Sequence, residues 1–266
     1  MKHVVRSLAS LFALALLCVA RWAAAAEVQV AVASNFAGPM QALARQFEQK
    51  TGDHVVIVTG ATGKLAAQIE QGAPFELLLA ADDRTPSRLE TAGLAVTGTR
   101  FTYAFGKLVL YSAKAGFVDA KGAVLSSGRF RHLALANPKL APYGAAAVAV
   151  LEHLHLLDSL RPKLVEGENI SQTLEFVATG NAELGFVALS QILLAGKPRA
   201  GSYWLVPESL YAPIRQDAVL LKKGADNAVA RALLDFLQTD GARKLIASYG
   251  YGLAPGAAAT RTTHEP

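Results

Sequence analysis

From Val28 to Ala33 β-branched and small residues alternate, the pattern of a buried strand. From Met40 the apolar positions fall at Met40, Leu43, Ala44 and Phe47, spaced by three and four as on one face of a helix. Ser34 and Asn35 lie between the two runs, where helix-capping residues belong. Strand, polar turn and helix in succession bring backbone N–H groups, a hydroxyl and an amide to the positive end of a helix dipole, which suits an anion. A single such turn is most often only a cap. Here the arrangement recurs.

Val55 to Val58 is a second strand. It runs into Thr59-Gly60-Ala61-Thr62-Gly63 and a helix from about Lys64 that carries Leu65 and Ile69 and stops near Gly72. Gly63-Lys64 is not a phosphate loop, because Leu65 stands where Ser or Thr should follow the Lys and Val58 where the leading Gly should be. Glu76 to Ala80 reads as a strand buried on both faces, with Asp82-Asp83 capping a helix from Pro86; adjacent carboxylates on an extended segment diverge and make a poor metal pair. Phe101 to Tyr111 reads as one long strand, interrupted by Gly106-Lys107, that crosses between two lobes. The strand Leu133 to Ala136 ends at Asn137-Pro138 and Pro142-Tyr143-Gly144, where the prolines exclude regular structure before a helix from Ala145 to Leu157. Leu164 to Glu166 is a short strand, and Glu168 to Ser171 leads into a helix from Gln172 to Ala178. Strands at Leu184 to Val187, Trp204 to Val206 and Ala218 to Leu221 follow, then helices Ala228 to Leu237 and Ala242 to Ser248. Asn169-Ile170-Ser171 also matches a glycosylation sequon, a frequent chance match. Strands alternating with helices predict an α/β protein with mostly parallel sheets, in which ligands bind beyond the carboxyl ends of strands. Two corners come from the first third of the chain and two from the middle, which predicts two lobes facing each other across a cleft.

Composition narrows this picture. The chain has 266 residues and opens with Lys2, Arg6 and an apolar run from Leu8 to Ala20 that ends in Ala24-Ala25-Ala26, the pattern of a secretory signal peptide over 1–26. Its single cysteine, Cys18, falls inside that leader, so disulfides and thiolate metal sites are excluded from the remainder. The formal net charge is +5, of which Lys2, Arg6 and Arg21 supply three. No basic run marks a nucleic-acid partner. The tail over 254–266 has no periodicity and is expected to be disordered.

The corners collect Ser34, Asn35, Thr62 and Tyr143, all neutral donors, with no histidine and no cation. Such a set suits a small, fully deprotonated oxyanion, which only accepts hydrogen bonds. At this point the chain resembles the periplasmic molybdate-binding proteins, the solute-binding components of ABC importers. The resemblance rests on Ala33-Ser34-Asn35-Phe36, Gly60-Ala61-Thr62-Gly63-Lys64-Leu65, Ala80-Ala81-Asp82, Gly106-Lys107-Leu108-Val109, Asn137-Pro138 with Ala141-Pro142-Tyr143-Gly144, and Leu184-Gly185-Phe186-Val187-Ala188. It implies a two-lobed periplasmic-binding-protein fold, with lobe I over 27–104 and 218–253 and lobe II over 105–217. It further implies an interlobe site for molybdate or tungstate contacted by Ser34, Asn35, Thr62, Tyr143 and the N–H of Ile170, with no cofactor, no catalytic residue and no metal beyond the bound molybdate. The partners it implies are the permease subunits of a molybdate ABC transporter, for a monomer exported to the periplasm. Ala188 stands where some members have a Tyr ligand, and Tyr143 is read as replacing it.

Two other readings compete. Sulfate or another small oxyanion shares the shape and charge of molybdate, and the donors do not separate them. An exported hydrolase would need a base beside its nucleophile; the histidines after the leader, His54, His132, His153, His155 and His264, avoid the corners, and no G-x-S-x-G turn is present.

Overall fold

The structure is a computed structural model that describes residues 26–194 and 196–254; the leader, its Cys18 and the tail beyond Ala254 lie outside the described residues. β1 (Glu27–Ala33) sits between two parallel partners, β2 (His54–Gly60) and β3 (Leu77–Leu79), and Val30, Ala31 and Val32 are fully buried as a result. One 3₁₀ turn, Ser34–Phe36, joins β1 to α1 (Ala37–Thr51), whose stripe of Met40, Leu43, Ala44 and Phe47 faces the sheet as its spacing predicts. Gly52 ends α1 in the left-handed conformation. α2 (Thr62–Glu70) and α3 (Arg84–Thr91) follow β2 and β3.

β4 (Phe101–Gly106) and β5 (Leu108–Ser112) are separate strands in separate sheets, with Lys107 between them. The expected crossing between lobes is therefore made, by two strands rather than one. The second lobe continues through α4 (Val124–Ser127), β6 (Leu133–Ala136), α5 (Pro142–His153), α6 (Leu157–Leu160), β7 (Leu164–Gly167), α7 (Ile170–Ala178), β8 (Leu184–Ala188) and α8 (Leu189–Ile192). A small hairpin, β9 (Leu193–Leu194) with β10 (Lys197–Pro198), precedes β11 (Ser202–Leu205). β12 (Ile214–Leu220) then returns to the first sheet, and α9 (Ala228–Phe236) and α10 (Asp240–Ser248) pack over β1, β12 and α1. The two five-stranded sheets run β2-β1-β3-β12-β4 and β11-β5-β8-β6-β7, so each is parallel at one side and takes antiparallel strands at the other.

Strand pairing extends the first sheet beyond the expected breaks at 104 and 218, to Gly106 and back from Ile214. The polar run Arg215-Gln216-Asp217 hides this stretch from a hydrophobicity pattern. Gln216 and Asp217 are nevertheless fully buried, and a register shift between them at a β-bulge turns both inward. A second correction concerns the prolines: Pro142 occupies the first turn of α5, where a missing N–H costs nothing, so the helix begins there and not at Ala145. It ends at His153, because His155 takes a left-handed backbone with φ of 56°. Similarly, α7 begins at Ile170, two residues before the expected Gln172.

Candidate functional site

The ends of β1, β2, β6 and β7 place four turns around one small pocket. Ser34, Asn35, Thr62, Tyr143 and Ile170 all line it, with Gly60 and small alanines between them. Ala33, Ala61 and Ala81, at strand ends of the first sheet, pack into the apolar cluster of the second lobe, so the lobes meet directly around the pocket.

Ser34 and Asn35 do not cap α1; their 3₁₀ turn intervenes and no side-chain cap bond forms. Ser34 is nearly buried at 6% exposure, and its hydroxyl bonds to no other group among the described residues. The Asn35 amide is not the free donor that the sequence suggests. Its nitrogen donates to Gln216 Oε1 at 2.9 Å and to the Tyr251 hydroxyl at 2.9 Å, which leaves the backbone N–H, unpartnered in the first turn, for the pocket. The Asn35 carbonyl accepts from Ser190 Oγ and from the Tyr251 hydroxyl, both at 2.9 Å.

Thr62 opens α2 and is 1% exposed. Its Oγ1 accepts from the Ala81 N–H at 3.0 Å, which leaves the hydroxyl proton to be donated elsewhere. The next residue, Gly63, donates its N–H to Leu140 O of the other lobe at 2.9 Å; a Cβ on Gly63 would stand 3.2 Å from the Leu140 backbone. Lys64 pairs with Glu168 across the same seam, on the outside of the pocket.

Tyr143 sits in the first turn of α5, 1% exposed. Its hydroxyl accepts from Gln216 Nε2 at 3.1 Å. Burial, with the neighbouring Tyr251 hydroxyl, holds it well above the usual phenol range, so it remains a protonated donor. Tyr103 and Tyr251 are raised by burial in the same way. At α7 the Asn169 side chain caps Ser171 N–H at 2.9 Å and Gln172 N–H at 3.1 Å, so among the first three N–H groups only that of Ile170 remains, on the pocket wall. The pocket thus gathers neutral donors at four helix starts and no charged side chain, an arrangement that holds a small anion by dipoles and hydrogen bonds.

A larger groove runs beside α5, between Asp82-Asp83-Arg84 and Arg215. Arg215 lies 3.9 Å from Asp83 and 3.4 Å from Asp217, and Asp82 is spent on Thr85 N–H at 2.8 Å, where it caps the first turn of α3 as expected. No comparable set of helix starts converges there. Among the described residues no group of three His, Cys, Asp or Glu could hold a metal ion.

Residues 28–252 match the family described as bacterial extracellular solute-binding protein. A protein of Azotobacter vinelandii named molybdate-binding protein ModA is 60% identical over 231 residues, 87% of this chain and 92% of that protein. The chain belongs to the molybdate-binding branch of the bacterial extracellular solute-binding proteins. A second member of that branch, the molybdate-binding protein ModA of Rhodobacter capsulatus, is 53% identical over 86% of this chain and 89% of its own. The solved periplasmic molybdate-binding protein of Azotobacter vinelandii superposes with a TM-score of 0.84 at 43% identity, covering 86% of this chain and all of that one. The sulfate-binding protein SubI of Mycobacterium tuberculosis shares the fold alone, with a TM-score of 0.71 at 15% identity. Members of this branch bind a solute and are not enzymes, which disposes of the hydrolase reading.

Sequence reasoning found the pocket walls and missed what stands behind them. Gln216, Tyr103, Tyr251 and Ser190 form a buried polar layer beneath Asn35 and Tyr143. The capping signal of Asn169 was readable before Ile170; nothing local marks the other four.

Proposed function

We propose that the protein captures molybdate, or tungstate, in the periplasm and delivers it as a monomer to the permease subunits of an ABC importer. The observation that carries this reading is the pocket of neutral donors shared between two lobes, in a chain 60% identical to a protein named as molybdate-binding. The anion is a dianion with acceptors only. Ser34 donates through its hydroxyl and N–H, Asn35 through its N–H, Thr62 and Tyr143 through their hydroxyls, and Ile170 through its N–H. Ser34, Asn35 and Thr62 belong to the first lobe and Tyr143 and Ile170 to the second, so the ligand bridges the two and favours the closed state by its differential affinity for it. Lobe I comprises 27–106 and 214–253 in this reading, lobe II the chain between, and the leader is cleaved near Ala26.

The deciding experiment is a thermal melt of the processed protein with molybdate, tungstate, sulfate and phosphate at equal concentration. A ligand at about a thousand times its dissociation constant adds about 4 kcal/mol, which raises the midpoint of a chain this size by about 8 to 16 °C. Molybdate and tungstate give that shift and sulfate and phosphate do not. A shift with sulfate alone overturns the ligand and keeps the pocket; no shift with any of the four overturns the reading.

A further inference from the structure

We propose that Gln216 is a positioning residue for the anion: it orients the Tyr143 hydroxyl as a donor into the pocket, and does so only when the two lobes are together. The inference rests on the pocket being the oxyanion site. Gln216 belongs to β12 of the first lobe and Tyr143 to α5 of the second, so their 3.1 Å bond spans the cleft. The amide of Gln216 is held in one orientation by Asn35, whose Nδ2 donates to its Oε1 at 2.9 Å; the Tyr103 hydroxyl divides its one proton between that Oε1 at 3.0 Å and Ala80 O at 2.9 Å. Only the NH₂ end is left to face Tyr143. A phenol that accepts from an amide N–H must send its single proton elsewhere. Among the described residues the Tyr251 hydroxyl is near enough to compete for that proton, but it already accepts from Asn35 Nδ2 and faces Asn35 O and Ser190 Oγ with its own proton. The free direction is the pocket that Tyr143 lines.

A second observation supports the pairing. Gly106, the last residue of β4 before the crossing, lies directly against the two partners: a Cβ there would overlap the Tyr143 hydroxyl and the Gln216 amide. The space for this bond is therefore left by the absence of a side chain at the crossing itself. The first lobe has the matching device within itself, where the Ala81 N–H takes a lone pair of Thr62 Oγ1. The Thr62 and Tyr143 hydroxyls are thereby held as donors, which suits an anion with no proton to give.

The test is a double-mutant cycle read by calorimetric titration with molybdate: the unmodified protein, Gln216→Met, Tyr143→Phe and the two combined. Gln216→Met keeps the length of the side chain and removes its donor. It weakens molybdate binding about tenfold in the presence of Tyr143, and less than about twofold in the Tyr143→Phe background, because the hydroxyl it orients is gone. Equal losses in both backgrounds overturn the inference. Absence of binding by the unmodified protein overturns the oxyanion reading on which it rests, and with it the inference.

Should Gln216→Met fail to fold, Gln216→Glu carries the test, since an introduced carboxyl can still accept from Asn35 and Tyr103. The groups facing position 216 are the hydroxyls of Tyr143 and Tyr103 and the Asn35 amide. Asp217 is turned to Arg100, Thr102 and Arg215, and Asp82 to Thr85. At pH 9 the carboxylate accepts the hydrogen bond of the Tyr143 hydroxyl, which turns its proton away from the pocket, and binding is lost; towards pH 6 the carboxyl protonates, donates to Tyr143 again, and affinity returns by tenfold or more. In the Tyr143→Phe background that recovery shrinks to what charge alone produces. A recovery of the same size in both backgrounds, or none in either, overturns the inference.

Discussion

Thr62 in the first lobe is finished locally: the Ala81 N–H that fixes its hydroxyl comes from the same lobe, just past the end of β3. Tyr143 in the second lobe is finished from outside, by Gln216 across the cleft. The two half-sites therefore differ in when they are ready. On the closure proposed above, the first is set whether the lobes are apart or together, and the second acquires its orientation as they meet. A binding protein of this kind can hold an anion on one prepared face and commit only when the other face arrives.

The largest effects should separate the two faces. Thr62→Ala removes a donor to the anion and also leaves the buried Ala81 N–H without its partner, so it weakens molybdate binding by about 1 to 3 kcal/mol and lowers the melting midpoint without ligand as well. Tyr143→Phe costs affinity on the same scale of about 1 to 3 kcal/mol, with a smaller change in the ligand-free midpoint, because its partner belongs to the other lobe. Calorimetry and thermal melts on the pair decide; equal ligand-free losses would erase the distinction between a local and a borrowed half-site.

Gly63→Ala probes the meeting itself. The added carbon pushes on the Leu140 backbone without touching the anion, and costs about 1 kcal/mol of affinity as overpacking does. Small-angle scattering with saturating molybdate should show a less compact particle than the unmodified protein; an unchanged profile and affinity would mean that this contact does not limit closure.

The lobes also differ in acid. Burial raises Glu183, in the second lobe, but the His132 N–H and the Arg131 side chain and N–H outweigh it and bring its carboxyl from 4.5 to about 2. A folded value below the unfolded one gives stability that is full above pH 4.5 and is lost as pH falls toward 2. Glu183→Gln thus lowers the midpoint at pH 7, by no more than about 1 kcal/mol given the exposed Arg131, and by progressively less toward pH 2. A constant difference across that range would sever the link. The smallest effect belongs to the seam: Lys64→Met breaks an ion pair whose side chains are 51% and 46% exposed, so affinity falls by a few tenths of a kcal/mol in low salt and not at all in 1 M salt.

What the sequence makes legible follows the same division. Ser34, Thr62, Tyr143 and Ile170 can be found because each sits where a strand pattern gives way to a helix pattern, and the chain alone writes that boundary. Asn35 lines the pocket, but its amide is not the free donor that the local pattern suggests, because Gln216 and Tyr251 consume both its hydrogens. Gln216 itself was invisible. Polar, and one residue from Asp217, it reads as loop, and only the antiparallel insertion of β12 between β3 and β4 buries it. The reach of the first sheet to Gly106 and back from Ile214 is hidden for the same reason.

That insertion has a consequence for how the chain assembles. The second sheet draws all its strands from one unbroken stretch, 108–205, so none of its pairings waits for chain outside that stretch. The first sheet has β1, β2 and β3 early, but β4 can join it only through β12, whose partners include Leu78 for Val219. Contacts so distant along the chain form slowly, because the loop between them must be closed first. In a polypeptide that emerges from its N-terminus, the lobe that begins first is therefore the one completed last, and its unpaired β3 edge waits for the second lobe to be made.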